Sequence, residues 1–176
     1  MYSYCKSLAF TLLELIFTIV IISILVMIAL PHYHEFRENQ ERAQILSTVR
    51  QAISQAKANA VSYRSPVIIC ASQDLKSCTN SQWHKGFIIF LDQNHNQEFD
   101  PHEKLIQATS TDYQYGDFSW KGGVTSKNTI TFQPDSGLPR GSMGHFKYCA
   151  HSNKSNLIVR LSMMGQTRLE EAKTCE

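Results

Sequence analysis

Hydrophobic and polar positions change rhythm twice along the chain. Residues 10–30 carry a single charge, Glu14, and show no polar face. As a helix at about 1.5 Å per residue, such a run spans about 30 Å, the thickness of one bilayer core. After Pro31 the pattern becomes amphipathic. Leu46, Val49, Ile53, Ala56 and Ala60 recur at spacings of three and four, one stripe of a helix. Arg37, Glu38, Glu41, Arg42, Arg50 and Lys57 lie mostly off that stripe. Ser65-Pro66 disfavours continuation, so the pattern predicts one helix of about 53 residues, from Phe10 to about Ser62. Beyond Pro66 the rhythm shortens. Segments 67–70, 86–91, 104–107, 129–132, 146–149, 157–161 and 167–169 are short and β-branched or aromatic, and most are separated by Gly, Pro, Asn or Asp. They predict an antiparallel meander of about seven strands, with 162–165 as the hairpin turn before the last. The expected fold class is α+β, a long N-terminal helix packed on antiparallel sheet. Its parts are an apolar half (10–30), an amphipathic half (31–63) and a β-rich domain (64–176).

Composition sharpens this. Of 176 residues only 18% are charged, below the roughly 25% of soluble domains, and the deficit is concentrated in the apolar run. A single such run excludes a polytopic membrane protein. The formal net charge is only +2 but it is unevenly spread. Residues 74–117 hold three basic and seven acidic side chains, net −4, whereas 120–169 hold seven basic and one acidic, net +6. The second stretch is a candidate anion-binding surface, because clustered Lys and Arg give sequence-independent, salt-sensitive affinity for phosphate chains.

Five cysteines sort by position. Cys5 precedes the apolar run; Cys70, Cys78, Cys149 and Cys175 follow it. In an exported domain four cysteines imply two disulfides, with three possible connectivities. Cys70–Cys78 would close a short loop after a strand, and Cys149–Cys175 would tie down the tail. There is no C-x-x-C pair and the spacing fits no common zinc set. Oxygen side chains alternate from Asp92 through Asn94, Asn96 and Glu98 to Asp100, as in a calcium loop, but Gln97 stands where such loops turn on Gly. Asp/Asn-rich turns of this kind commonly cap hairpins. The seven histidines have no metal spacing beyond the His32/His34 pair, and no nucleophile elbow, P-loop, zincin or dinucleotide motif occurs. The expectation is therefore no enzyme, no metal and no cofactor.

At the amino terminus the small residue Ala9 lies before the apolar run instead of after it, so the run should remain on the mature protein. Lys6 and Arg37 flank it almost evenly, which leaves orientation open on charge alone. Glu14 is the anomaly, since a charge inside such a run costs roughly 2.5–3.5 kcal/mol on insertion. It either reaches the interface or waits for a cationic partner, such as the freed amino group of a neighbouring subunit.

The hexapeptide Ala9-Phe10-Thr11-Leu12-Leu13-Glu14 resembles the type III signal of type IV prepilins and type II secretion pseudopilins. That resemblance implies a prepilin peptidase that cuts between Ala9 and Phe10, releases 1–9 as a leader and methylates the new amine of Phe10. It implies that Glu14 serves ordered assembly and that Pro31 corresponds to the family's helix-kinking proline. Ala9 departs from the usual Gly. Further along, Ile68-Ile-Cys70-Ala-Ser72, Trp83-His-Lys-Gly86-Phe-Ile-Ile-Phe90-Leu-Asp92, Ile130-Thr-Phe132, Tyr148-Cys149 and Met164-Gly165-Gln-Thr-Arg168 resemble the FimT/GspH (FimU-like) branch. The implied fold is a long helix on a two-sheet domain. The implied location is a single-pass bacterial inner-membrane protein with a periplasmic domain, later built into a filament. Its implied partners are the peptidase and other major and minor pilins, and its implied role is structural, in priming or capping a pilus tip. A pseudopilin of type II secretion is the nearest alternative. Some FimT-like members receive double-stranded DNA in natural transformation through a late Gly-Arg-x-Arg. Here the matching Gly165-Gln166-Thr167-Arg168 lacks the first Arg and is followed by Glu170 and Glu171. Lys147, Lys154, Arg160 and Arg168 are the candidate DNA contacts.

Overall fold

A computed structural model describes residues 11–123, 128–172, 174 and 175, and of Pro31 the backbone alone. Ala9 and Phe10, the expected leader and Cys5 lie outside the described residues. The chain divides into two compact units between Phe36 and Arg37.

Helix α1 runs Leu12–Tyr63, 52 residues. Thr11 caps it, its Oγ1 accepting the Glu14 N–H at 3.3 Å. Thr-Leu-Leu-Glu is the order of a capping box, and an acid in the first turn complements the helix dipole. At the other end Arg64 adopts φ 49°, a left-handed residue that stops the helix ahead of Ser65-Pro66.

In the unit from Arg37 onward, Ile45, Val49, Ala52, Ile53, Ala56 and Ala60 are buried. This corrects the expected stripe. Ile45, not Leu46, begins its apolar part, Ala52 joins it, and Leu46 is only half-buried at its edge. Eight strands follow: β1 Val67–Ala71, β2 Gly86–Leu91, β3 Leu105–Ser110, β4 Gly116–Gly122, β5 Thr129–Phe132, β6 Gly144–Ala150, β7 Leu157–Leu161 and β8 Thr167–Glu171. They do not form one meander. β3-β2-β1-β5 make one sheet and β4-β6-β7-β8 another, all pairs antiparallel.

The two sheets bury their residues differently. Every residue of β1 and β2 is buried. Val67, Ile69, Ala71, Phe87, Ile89 and Leu91 join the core shared with α1. Ile68, Cys70, Ile88 and Phe90 face the other way into a second, smaller core with Leu75, Cys78 and Phe99. Loops thus cover the far face of this sheet, and the strands read as continuous hydrophobic runs. The second sheet has one dry face. Phe118, Trp120, Phe146, Tyr148, Leu157, Val159 and Leu161 point to the main core, and alternate residues point outward. Phe146 is the hub, with its ring 4.7 Å from Trp120, 5.3 Å from Trp83 and 5.4 Å from Phe118.

Two disulfides join Cys70 to Cys78 and Cys149 to Cys175. Asp74 organises the first loop. It accepts the backbone N–H groups of Lys76 and Ser77, both at 2.9 Å, and these hold its carboxyl down at about 2. A depressed carboxylate contributes stability above its unfolded value near 3.8 and loses it as pH falls toward 2. The Asp74 carboxyl carbon should therefore titrate near pH 2 in an NMR series; titration near its ordinary value would mean that the loop contacts are not held.

Glu38 and Glu41, assigned by pattern to a mostly polar face, instead staple the helix to the sheet. Glu38 is only 3% exposed and accepts the Ser152 N–H at 3.0 Å and the Ser152 hydroxyl. Glu41 accepts the N–H groups of Gln114 (2.8 Å) and Tyr115 (3.1 Å) and the Tyr148 hydroxyl (2.9 Å). Burial, then the Glu41 contact, pushes the Tyr148 phenol far above its usual range.

Candidate functional site

Two surfaces remain after the core is accounted for. The first is the apolar half of α1. Its large hydrophobic side chains from Leu12 to Leu30 are 47–78% exposed, and the helix is long and apolar enough to cross a membrane. So much apolar surface is not left in water by a soluble domain; it belongs to lipid or to packed neighbouring helices. Glu14 lies at its first turn, next to the Thr11 cap.

The second surface is the outer face of the β4-β6-β7-β8 sheet. Its register aligns Lys121 with His145, His145 with Arg160, and Arg160 with Arg168. Partners across a ladder share a face, so these four side chains form one basic row across all four strands. At about 4.8 Å per strand the row is about 14 Å long. It lines an open groove of about 940 Å³ together with Met143 and Glu170. Glu170 bonds Arg160 at 2.7 Å and offsets part of its charge. His145 is half-buried. Burial first, then Arg160, Lys121 and Lys147, hold its pKa below the usual value, with Glu170 opposing them.

Of the four candidates from sequence, Arg160 and Arg168 meet here. Lys147 is on the same face one row along, aligned with Ser119 and Ile158, but it is only 6% exposed. Lys154 lies in the β6–β7 turn, beside Ser152 and Ser155, which bind Glu38 and Asn39 near the start of the unit. It precedes β7 by three residues, whereas Arg160 is the fourth residue of that strand. These four therefore do not form one cross-strand row. Lys121 and His145 take the places of Lys147 and Lys154. The β7–β8 turn is the expected hairpin. Gly165, at φ 67°, donates to the Ser162 carbonyl at 2.9 Å, and a Cβ there would press on the Lys57 side chain at 3.1 Å.

The Asp92 loop spends its oxygens on itself. Asp92 accepts the N–H groups of Asn96 and Gln97 at 3.1 and 3.2 Å. Asp100 accepts the side-chain amides of Asn94 and Asn96 at 2.7 and 2.8 Å. Glu103, the twelfth residue counted from Asp92, accepts from Gln93 N at 2.8 Å and Asp100 N at 3.2 Å. Its work is to close the turn. Gln97 takes φ 63°, the conformation that calcium loops give to Gly. The arrangement does the work of a hairpin cap.

A family model described as Type II transport protein GspH matches residues 47–165. No curated relative matches the chain. Among solved structures, a crystal structure of the Pseudomonas aeruginosa type IV minor pilin FimU is similar at TM-score 0.52 and 19% identity, covering 77% of this chain and 92% of that one. A second crystal form of the same FimU gives TM-score 0.44 at 18% identity, with 77% and 91% covered. The shared architecture is a helix whose apolar stripe packs on two antiparallel sheets. The match over residues 47–165 places the chain in the family described as Type II transport protein GspH, and its fold is similar to that of the minor pilin FimU.

Proposed function

We propose that the protein is a minor pilin of a type IV pilus, held in the bacterial inner membrane by the first half of α1 with its β domain in the periplasm. Prepilin peptidase removes residues 1–9 and methylates Phe10. Glu14 then pairs with the amino terminus of a neighbouring pilin, and the apolar helix half becomes filament core. The subunit primes or caps the tip. The observation that carries this reading is the exposed apolar stretch of α1 with one acid at its first turn. The same chemistry would serve a type II secretion pseudopilus; recovery from secretion pseudopili and absence from sheared pili would favour that machine. Ala9→Glu tests the processing step. In cells with the peptidase, the parent should lose nine residues by mass, and Ala9→Glu should keep its full length and stay out of the filament fraction. Equal processing of both would contradict the proposed cut.

A second reading, DNA binding at the pilus tip, is favoured by the cross-strand row of Lys121, His145, Arg160 and Arg168. A duplex carries one charge per about 1.7 Å of axis, so a row of about 14 Å meets several phosphates. Binding should be indifferent to sequence and weaken steeply between about 50 and 200 mM salt. Arg168→Gln should reduce the salt slope by about one, the loss of a single phosphate contact, and change folding stability by no more than about 0.5 kcal/mol. Undiminished binding by Arg168→Gln would remove this row from the account.

A further inference from the structure

His145 is the one member of the basic row whose side-chain type changes charge between pH 5 and 8, and it stands between two cations. Across the ladder Lys121 of β4 is on one side and Arg160 of β7 on the other, with Cα neighbours about 4.5–5.5 Å apart. Lys147 is two residues along β6 on the same face, and Glu170 of β8 is the acid that faces it. Arg168 lies one strand beyond Arg160. The other face of this sheet is closed by the core packed on α1, so ligands reach His145 only from the groove.

We propose that His145 is a proton-controlled contact in this row, so that the face grips the phosphate backbone of double-stranded DNA more tightly in mildly acidic solution than at neutral pH. The inference rests on the DNA-binding reading above and adds its regulation. In the free protein three cations and partial burial oppose a fourth charge, while Glu170 favours it. Phosphates laid along the row cancel the cations and accept a hydrogen bond from the imidazolium. The protonated form is therefore stabilised by the ligand more than the neutral form is. The sign follows from linkage: binding raises the His145 pKa, so affinity climbs as pH falls through the bound-state value. The climb ends below the free-state value, which lies under the ordinary one. One linked proton allows at most about tenfold in affinity per pH unit.

The test is duplex DNA binding by the full-length chain in non-ionic detergent, followed by fluorescence anisotropy at about pH 7.5 and about pH 5.5 across a salt series. The parent should bind about tenfold more tightly at the lower pH, with a salt slope steeper by about one. His145→Gln should shrink the pH ratio to below about twofold, and His145→Arg should bind near neutral pH about as tightly as the parent does in acid. Salt-sensitive binding with no pH dependence would overturn the inference and leave the DNA reading standing. A pH dependence that survives in His145→Gln would assign the proton to another group and also overturn it. No binding at either pH would remove the DNA reading itself.

Discussion

Glu41→Ala is expected to lower the unfolding free energy of the β domain by about 3 kcal/mol, among the largest effects of any single non-core side chain. One carboxylate accepts two backbone N–H groups and a phenol, at 2.8, 3.1 and 2.9 Å. Hydrogen bonds to a charged acceptor contribute about 1.5–3 kcal/mol each where they are shielded from water, and truncation leaves the donors unpaired. The loop before β4 would lose its anchor on α1, and the Tyr148 hydroxyl would be left facing the core. Tyr148→Phe removes only the phenolic bond and should cost about 1 kcal/mol. Chemical denaturation of the two variants checks the ordering. Equal losses, or no loss for Glu41→Ala, would mean that the carboxylate does not hold the helix to the sheet.

The same residue shows where sequence legibility ended. Counting back from Ile45 at spacings of four and three gives Glu41 and Glu38, so both acids continue the stripe that the core occupies. Starting the stripe at Leu46 stops it short of them, although Val49, Ile53, Ala56 and Ala60 lie on the same buried face. The apolar half, the helix end ahead of Pro66 and most strands were legible, because each has strong periodicity or a proline boundary. β4 was not, although Phe118 and Trp120 alternate with Asp117, Ser119 and Lys121. Its end residues Gly116 and Gly122, the following Gly123 and its polar alternates read as loop. The division into two sheets depends on a non-local pairing, β1 with β5 across some 60 residues of chain, that local pattern cannot specify.

The basic face failed in part for a related reason. Charge counting found the right stretch, but membership of the row is set by cross-strand register. Arg160 and Arg168 are eight residues apart in sequence and directly opposite in the sheet. Lys121 and His145 join them only because β4 and β6 pair in the observed register. A one-residue slip would send all of these side chains into the core. Lys154, close to Arg160 in sequence, is carried to the far end by the β6–β7 turn.

The assembly account stands on Glu14, and its variant has the largest expected effect of all. Glu14→Leu removes a charge from the apolar run, which should ease membrane insertion, by less than the roughly 2.5–3.5 kcal/mol that a charge costs at a helix centre because Glu14 lies in the first turn. It leaves the Thr11 cap, whose Oγ1 accepts a backbone N–H and not the carboxylate. A purely structural role for the acid would therefore leave the protein at least as abundant in the membrane and as competent in the filament. The pairing role predicts the opposite pattern: normal or raised membrane levels and loss from the filament. Quantifying parent and Glu14→Leu chains in membrane and sheared-filament fractions of the same cells decides between them. The account predicts parental protein in both fractions and Glu14→Leu in the membrane alone; Glu14→Leu recovered from sheared filaments at the parental level would contradict it.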